Sequence, residues 1–165
     1  MGSLQTKPYM LEANHEHVLQ ALGLRVSVKA NTSQTGGSFN LIEVTGPAGF
    51  VTPLHIHYAE DVAIFVVEGS MTVFWGDEER EAAPGSFFYQ PRGTPHGFRV
   101  RGDAPARVLY MTIPAGFDQF IHEPGLSEHE TQYIDLAARY QIEILGPLPD
   151  HAGSLEQGGA NANHD

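Results

Sequence analysis

The sequence predicts an all-β domain, an antiparallel sandwich or barrel, with short helices at its C-terminal end. Three observations carry this expectation. From Leu24 to about Met111, short runs rich in β-branched and aromatic residues follow one another at close spacing. The stretches between them are turn-forming clusters with no room for a helix. Beyond Pro114 the apolar period changes from two to about 3.6.

Residues 1–22 are mixed, with only a loose apolar pattern in "YMLEANHEHVLQALG". The strand-like runs then come in order: "LRVSVKA", "SFNLIEVT", "VAIFVVEG", "MTVFWG", "SFFYQP", "HGFRVRG" and "ARVLYMTI". Between them sit "TGGS", "TGPAG", "WGDEE", "APGS", "PRGTP" and "RGDAP", each a turn signal. Many short strands without crossover helices argue for a sandwich or barrel. After Pro114, Phe117, Phe120 and Ile121 share one helical face before "EPG" ends it. Ser127 and Glu130 have capping-box spacing, and Tyr133, Leu136, Ala137 and Tyr140 form a second stripe, stopped by "GPLP". The expectation is one domain over residues 1–150, with a β core at about 24–113, helices at about 115–145, and a disordered tail at 151–165 that cannot bury a face.

Composition narrows the function. Hydrophobic residues make up 41% and charged residues 18% of the 165, an ordinary globular balance. There is no run of 18 apolar residues and no visible secretory signal, so the expected partner is not a membrane and the expected location is the cytoplasm. With no cysteine, disulfides and thiolate chemistry are excluded. A net charge of −11 with no basic aromatic cluster argues against nucleic acid as a partner. What is left is a small-molecule ligand.

The chemistry is concentrated in "PLHIHYAEDV". In a strand, residues i and i+2 point the same way, so His55 and His57 share a face and Ile56 takes the other. Two imidazoles on an interior face are costly to bury unless something binds them, and a metal ion does so. Two histidines on a solvated edge are the alternative for an isolated pair. A third histidine, His96, follows the turn-rich "PGSFFYQPRGTP".

These spacings resemble the two motifs of the cupin superfamily. Gly49, five residues, His55-x-His57 and later Gly69 follow the first; Gly85, five residues, Pro91-x-Gly93, two residues and His96 follow the second. The flanking "TGGSFNLIEV", "PAGFDQF" and "LAARYQIEILGP" are similar to a branch of small bacterial monocupins labelled quercetin 2,3-dioxygenase-like, so the likeness covers about residues 20–149. The resemblance implies a cupin-type double-stranded β-helix, or jelly-roll barrel. It implies His55, His57 and His96 as ligands of one divalent transition metal (Fe, Ni, Mn, Cu or Zn). One departure stands out. Counting back from Gly69, the usual ligand glutamate falls on Val62, so "EDV" replaces "EDE". Pleat alternation sends Asp61 and Val62 to opposite faces, which leaves a three-histidine site with open positions.

Glu60, Asp61 and Tyr58 flank this site and are the candidates for a general acid or base, with a solvated loop as the alternative. His15, His17, His122, His129, His151 and His164 read as surface residues. Phe50, Phe65, Phe74, Phe98 and Tyr110 read as barrel core. Neutral imidazole is the binding form, so metal retention is expected to weaken as pH falls through about 6.5. The leading functional expectation is a dioxygenase acting on a flavonol- or diketone-like aromatic or enolic molecule. The alternatives are a non-oxidative cyclase, isomerase or dehydratase, and a non-catalytic binding protein. A homodimer is expected, because the alternating "LRVSVKA" reads as a strand edge in need of cover.

Overall fold

The structure is a computed structural model that describes residues 6–13, 17–124, 126 and 130–150. Eleven strands and two helices are seen among them. In chain order they are β1 (Val18–Ala21), β2 (Leu24–Ala30), β3 (Asn40–Gly46), β4 (Leu54–His57), β5 (Asp61–Glu68), β6 (Ser70–Trp75), β7 (Glu78–Ala82), β8 (Phe87–Gln90), β9 (His96–Arg101) and β10 (Ala106–Ile113), then α1 (Phe117–Ile121), α2 (Glu130–Arg139) and β11 (Ile142–Gly146).

The strands form two antiparallel sheets, one in the order β1-β2-β3-β10-β5-β8 and the other β11-β4-β9-β6-β7. From β3 onward the chain alternates between sheets, apart from the β6–β7 hairpin, so segments distant in sequence become neighbours. That is the jelly-roll arrangement. It sets β4 beside β9 with His55 and His96 as Cα partners, and so brings both histidine segments onto one sheet.

Alternation builds the interior. On β5, Val62, Ile64 and Val66 are buried at 1% exposure or less, while Phe65 between them is exposed. Ile42 and Val44 of β3 and Val108 of β10 meet them from neighbouring strands, and Met71, Val73 and Phe98 come from the second sheet. Fully burying side chains of this size stabilises by roughly 1.5–3 kcal/mol each. A smaller cluster of Leu54, Phe74 and Leu148 covers the outside of the second sheet. Gly97 belongs there. A Cβ on it would meet Leu148 Cδ1 at 2.6 Å and Thr52 Oγ1 at 2.9 Å, so only glycine lets this segment lie flat against its neighbours. Gly69 is tighter still. Its φ is +76°, and a Cβ would lie 2.5 Å from the Pro105 carbonyl oxygen.

Several expectations change. The helices do not extend to residue 145: α2 ends at Arg139, and β11 pairs with β4 through Ile142↔His57 and Ile144↔His55. The alternating "IEIL" suits a strand, with Ile142 buried and Glu143 exposed. β7, read as part of a turn, is an acidic strand on the sheet edge paired with β6. β2 is no open edge, because β1 of the same chain pairs with it, so the surface that motivated the homodimer is covered internally. Phe65 faces outward instead of into the core. Ser127, His15, His129, His151, His164 and the expected tail at 151–165 lie outside the described residues. No helix among the described residues is long and apolar enough to cross a membrane.

Candidate metal centre

β4 is held between β11 and β9, and its alternation turns His55 and His57 toward the cavity while Leu54 joins the outer cluster. The loop before β9 is tied to the same strand by the Gly93 amide, which donates to the His57 carbonyl at 2.7 Å. The three rings converge. Centroids lie 4.4 Å apart for His55–His96, 5.2 Å for His55–His57 and 5.3 Å for His57–His96. One ring nitrogen from each lies within 4.8 Å of the others.

The hydrogen bonds settle which nitrogen faces the centre. Nδ1 of His55 lies 2.8 Å from the Pro53 carbonyl, Nδ1 of His96 lies 2.8 Å from the Thr94 carbonyl, and Nδ1 of His57 lies 3.0 Å from Glu60 Oε1. All three partners are acceptors, so each Nδ1 carries the hydrogen and each Nε2 keeps a lone pair. Nε2 of His96 is buried with no hydrogen-bond partner, an arrangement that costs free energy unless something occupies it. Burial, followed by the neighbouring imidazoles, lowers the His55 pKa well below its ordinary value and that of His96 to about 4. The rings of His55 and His96 are therefore neutral, as ligands must be. Three imidazoles whose Nδ1 atoms are engaged and whose Nε2 atoms converge fit a divalent transition cation.

The flanking carboxylates and phenol divide. Glu60 is buried at 5% exposure in the bend before β5 and orients the His57 ring through Nδ1, as carboxylates behind metal-binding histidines commonly do. Asp61 turns away. The Arg92 guanidinium and backbone amide hold it, with Nε 2.9 Å from Oδ1, and this keeps its carboxyl well below the usual range. Tyr58 points to the surface and donates to Glu143 Oε2 at 2.6 Å. Neither Asp61 nor Tyr58 lines the cavity beside the histidines. Val62 faces inward as expected, packed in the main core cluster.

That cavity holds about 230 Å³ and opens beside the three rings. Its wall is apolar: Ile42, Ile64, Phe50, Phe98, Phe117 and Phe120 contribute, and among the described residues no Asp, Glu, Lys or Arg lines it. Tyr110 and Tyr133 supply phenols. The Tyr110 hydroxyl lies 3.4 Å from His57 Nε2, and its ring stacks on Phe117 at 5.3 Å. Burial pushes the Tyr133 pKa up to about 12 and that of Tyr110 well above the ordinary value, so both stay protonated. A tyrosine in a core strand carries no motif, and its position in the site was not legible in the sequence.

Comparison with known proteins agrees with this geometry. The Cupin domain family matches residues 42–112, which hold all three histidines. A quercetin 2,3-dioxygenase of Bacillus subtilis is 29% identical over 151 residues, 84% of this chain, and the chain spans 44% of that protein's length. An uncharacterized protein of Methanocaldococcus jannaschii is 31% identical over 75 residues, 46% of this chain and 60% of its own. Among solved structures, KdgF from a Halomonas species aligns with a TM-score of 0.58 at 23% identity, covering 68% of this chain and 99% of its own. An RmlC-like cupin from Shewanella frigidimarina aligns at 0.59 and 17% identity, covering 70% and 98%. The polyketide cyclase RemF of Streptomyces resistomycificus aligns at 0.58 and 24%, covering 65% and 80%. At these identities the three structures speak for the fold. Strand order, paired histidine motifs and sequence likeness converge: residues 42–112 match the Cupin domain family, and the fold built around them is the cupin fold.

Proposed function

We propose that the protein is a metal-dependent dioxygenase that binds one divalent metal through Nε2 of His55, His57 and His96 and acts on a small aromatic or enolic molecule. The observation that carries this reading is the donor set. Three imidazoles converge, and among the described residues no charged side chain lines the cavity beside them. A facial three-nitrogen set leaves positions open for a chelating substrate and O2. The likeness to the Bacillus dioxygenase supports the oxidative assignment.

The bound metal would polarise the substrate's oxygens and bring O2 beside them. The chain's own residues do the rest. The Pro53 and Thr94 carbonyls and the Glu60 carboxylate fix the three rings through Nδ1, so the Nε2 atoms are aimed before anything binds. Phe98, Phe117 and Phe120 contribute aromatic rings to an apolar wall that suits a planar ring and keeps water from the reacting face.

Oxygen uptake tests the proposal. Protein loaded separately with Fe, Ni, Mn, Cu or Zn is mixed with flavonols and 1,3-diketones in a sealed electrode chamber. Uptake matching substrate loss one to one, with at least one metal, is expected. Substrate conversion without oxygen uptake would instead assign the site to Lewis-acid chemistry, the cyclase or isomerase alternative.

A further inference from the structure

Tyr110 lies on β10 opposite Ile64 of β5 and Ile42 of β3, with its ring turned into the cavity. Its hydroxyl has one hydrogen-bond contact among those described, the 3.4 Å approach to His57 Nε2. Because Nδ1 of His57 donates to Glu60, the phenol is the donor at Nε2. That distance is long for such a bond. More to the point, the same lone pair is the one a metal takes.

One lone pair cannot serve both. When the site is loaded, the Tyr110 hydrogen loses its acceptor while its hydroxyl stays buried, and an unsatisfied buried donor costs about 1–3 kcal/mol. Glu60 and Tyr133 are the ionisable groups whose charge acts on Tyr110. Glu60 Oε1 already accepts from His57. The remaining direction for the phenol is the cavity itself, next to the three Nε2 atoms. Stacking on Phe117 holds the ring in that direction.

We propose that Tyr110 is a substrate-binding residue whose phenol O–H donates to an oxygen of an uncharged, planar hydroxy-ketone held beside the three histidines. The assignment rests on the three-histidine reading of the site. The ligand class follows from the wall. With no cation among the described residues lining the cavity, a carboxylate or phosphate entering it meets no partner for its charge there, whereas a flat ring finds Phe98, Phe117 and Phe120. The apolar wall also offers few partners to a polyhydroxylated sugar.

The test uses zinc-loaded protein, in which the redox-inert metal prevents turnover, titrated with 3-hydroxychromone and followed by absorption and calorimetry. Tyr110→Phe should take up zinc as the wild type does and keep its circular dichroism. It should bind 3-hydroxychromone about tenfold more weakly, the value of one hydrogen bond. Its affinity for naphthalene, which fills the cavity without an acceptor, should not change. Equal affinity of both proteins for 3-hydroxychromone overturns the role of Tyr110 and leaves the metal site standing. So does a matching loss for naphthalene, which marks a packing effect. Tight binding of glucuronate or glucose 6-phosphate overturns the ligand class. A wild type that takes up neither zinc nor the probe removes the three-histidine reading and this inference with it. Should Tyr110→Phe not fold, Tyr110→Met carries the same comparison.

Discussion

Val62 occupies the motif position where a ligand carboxylate is usual, while Glu60 stands one hydrogen bond behind His57. The effect of Glu60 on a metal is therefore indirect: it fixes the His57 tautomer and makes Nε2 the better donor. Glu60→Ala is expected to weaken metal affinity about 10–100-fold while the β circular dichroism persists. Glu60→Gln, which keeps an acceptor oxygen, should lose much less. Equal affinity in Glu60→Ala and wild type, by competition with a chelating dye, contradicts this role. The histidines also set a pH dependence. The folded-state pKa of His96 is lowered to about 4 by burial and by His57, against about 6.5 in an unfolded chain. Between these values the unfolded state binds the proton and the folded state does not, so stability rises with pH across the window. Metal-free protein should be most stable above about pH 6.5 and lose about 3 kcal/mol from His96 alone as pH falls toward 4. Metal retention should likewise persist below pH 6.5, lower than free imidazole would allow. Urea melts at pH 7 and pH 4.5 without metal check the sign; equal midpoints contradict it.

β4 owes its position to neighbours on both sides and behind it. β11 pairs with it, β9 meets it at His55↔His96, and Leu148 presses on its sheet at Gly97. Gly97→Ala inserts a methyl where Leu148 and Thr52 leave no space, and overpacking of this kind costs about 1–3 kcal/mol. The residue adjoins His96, so the lower melting temperature should come with weaker metal retention. Unchanged melting would show that the C-terminal segment moves aside freely. The strands around this unit were unequally legible. β2 and β10 coincide with "LRVSVKA" and "ARVLYMTI", because alternation and β-branched content point the same way there. β7 is nearly all charged, and its strand state comes from pairing with β6 instead of from any period of its own. β11 did alternate, yet it follows a helical stripe directly, and only its pairing with β4 distinguishes it. For the site, local spacing placed the three histidines and their common face. Tyr110 and Phe117 enter it through strand order and helix docking, which no local spacing encodes, while Asp61 and Tyr58, close in sequence, are carried away by Arg92 and Glu143.

The chain carries a formal net charge of −11, so copies repel one another except where carboxylates are paired. One such region is the outer face of the six-stranded sheet. There Phe65 and Phe87 are register partners, as are Ala63 and Tyr89, and Phe87 is 64% exposed. Asp61 is bound to Arg92 at its margin, and Glu43 and Glu68 are bound to Arg107. An apolar patch whose flanking Asp61, Glu43 and Glu68 are paired, ending on the edge strand β8, suits a second copy of the chain related by a two-fold axis. We propose the homodimer on this face instead of on β2. Sedimentation at micromolar concentration should show a species of twice 18.0 kDa that Phe87→Ser shifts toward the monomer. A single 18.0 kDa species in the wild type contradicts it.

All of the chemistry depends on the three Nε2 atoms holding a metal, and metal content per chain measures that directly. Protein purified without chelators and analysed by plasma mass spectrometry should carry close to one equivalent of a divalent transition metal. His96→Ala, folded by circular dichroism, should carry little. Metal-free wild type that takes up none of Fe, Ni, Mn, Cu or Zn, or a His96→Ala variant that keeps a full equivalent, would contradict the three-histidine centre.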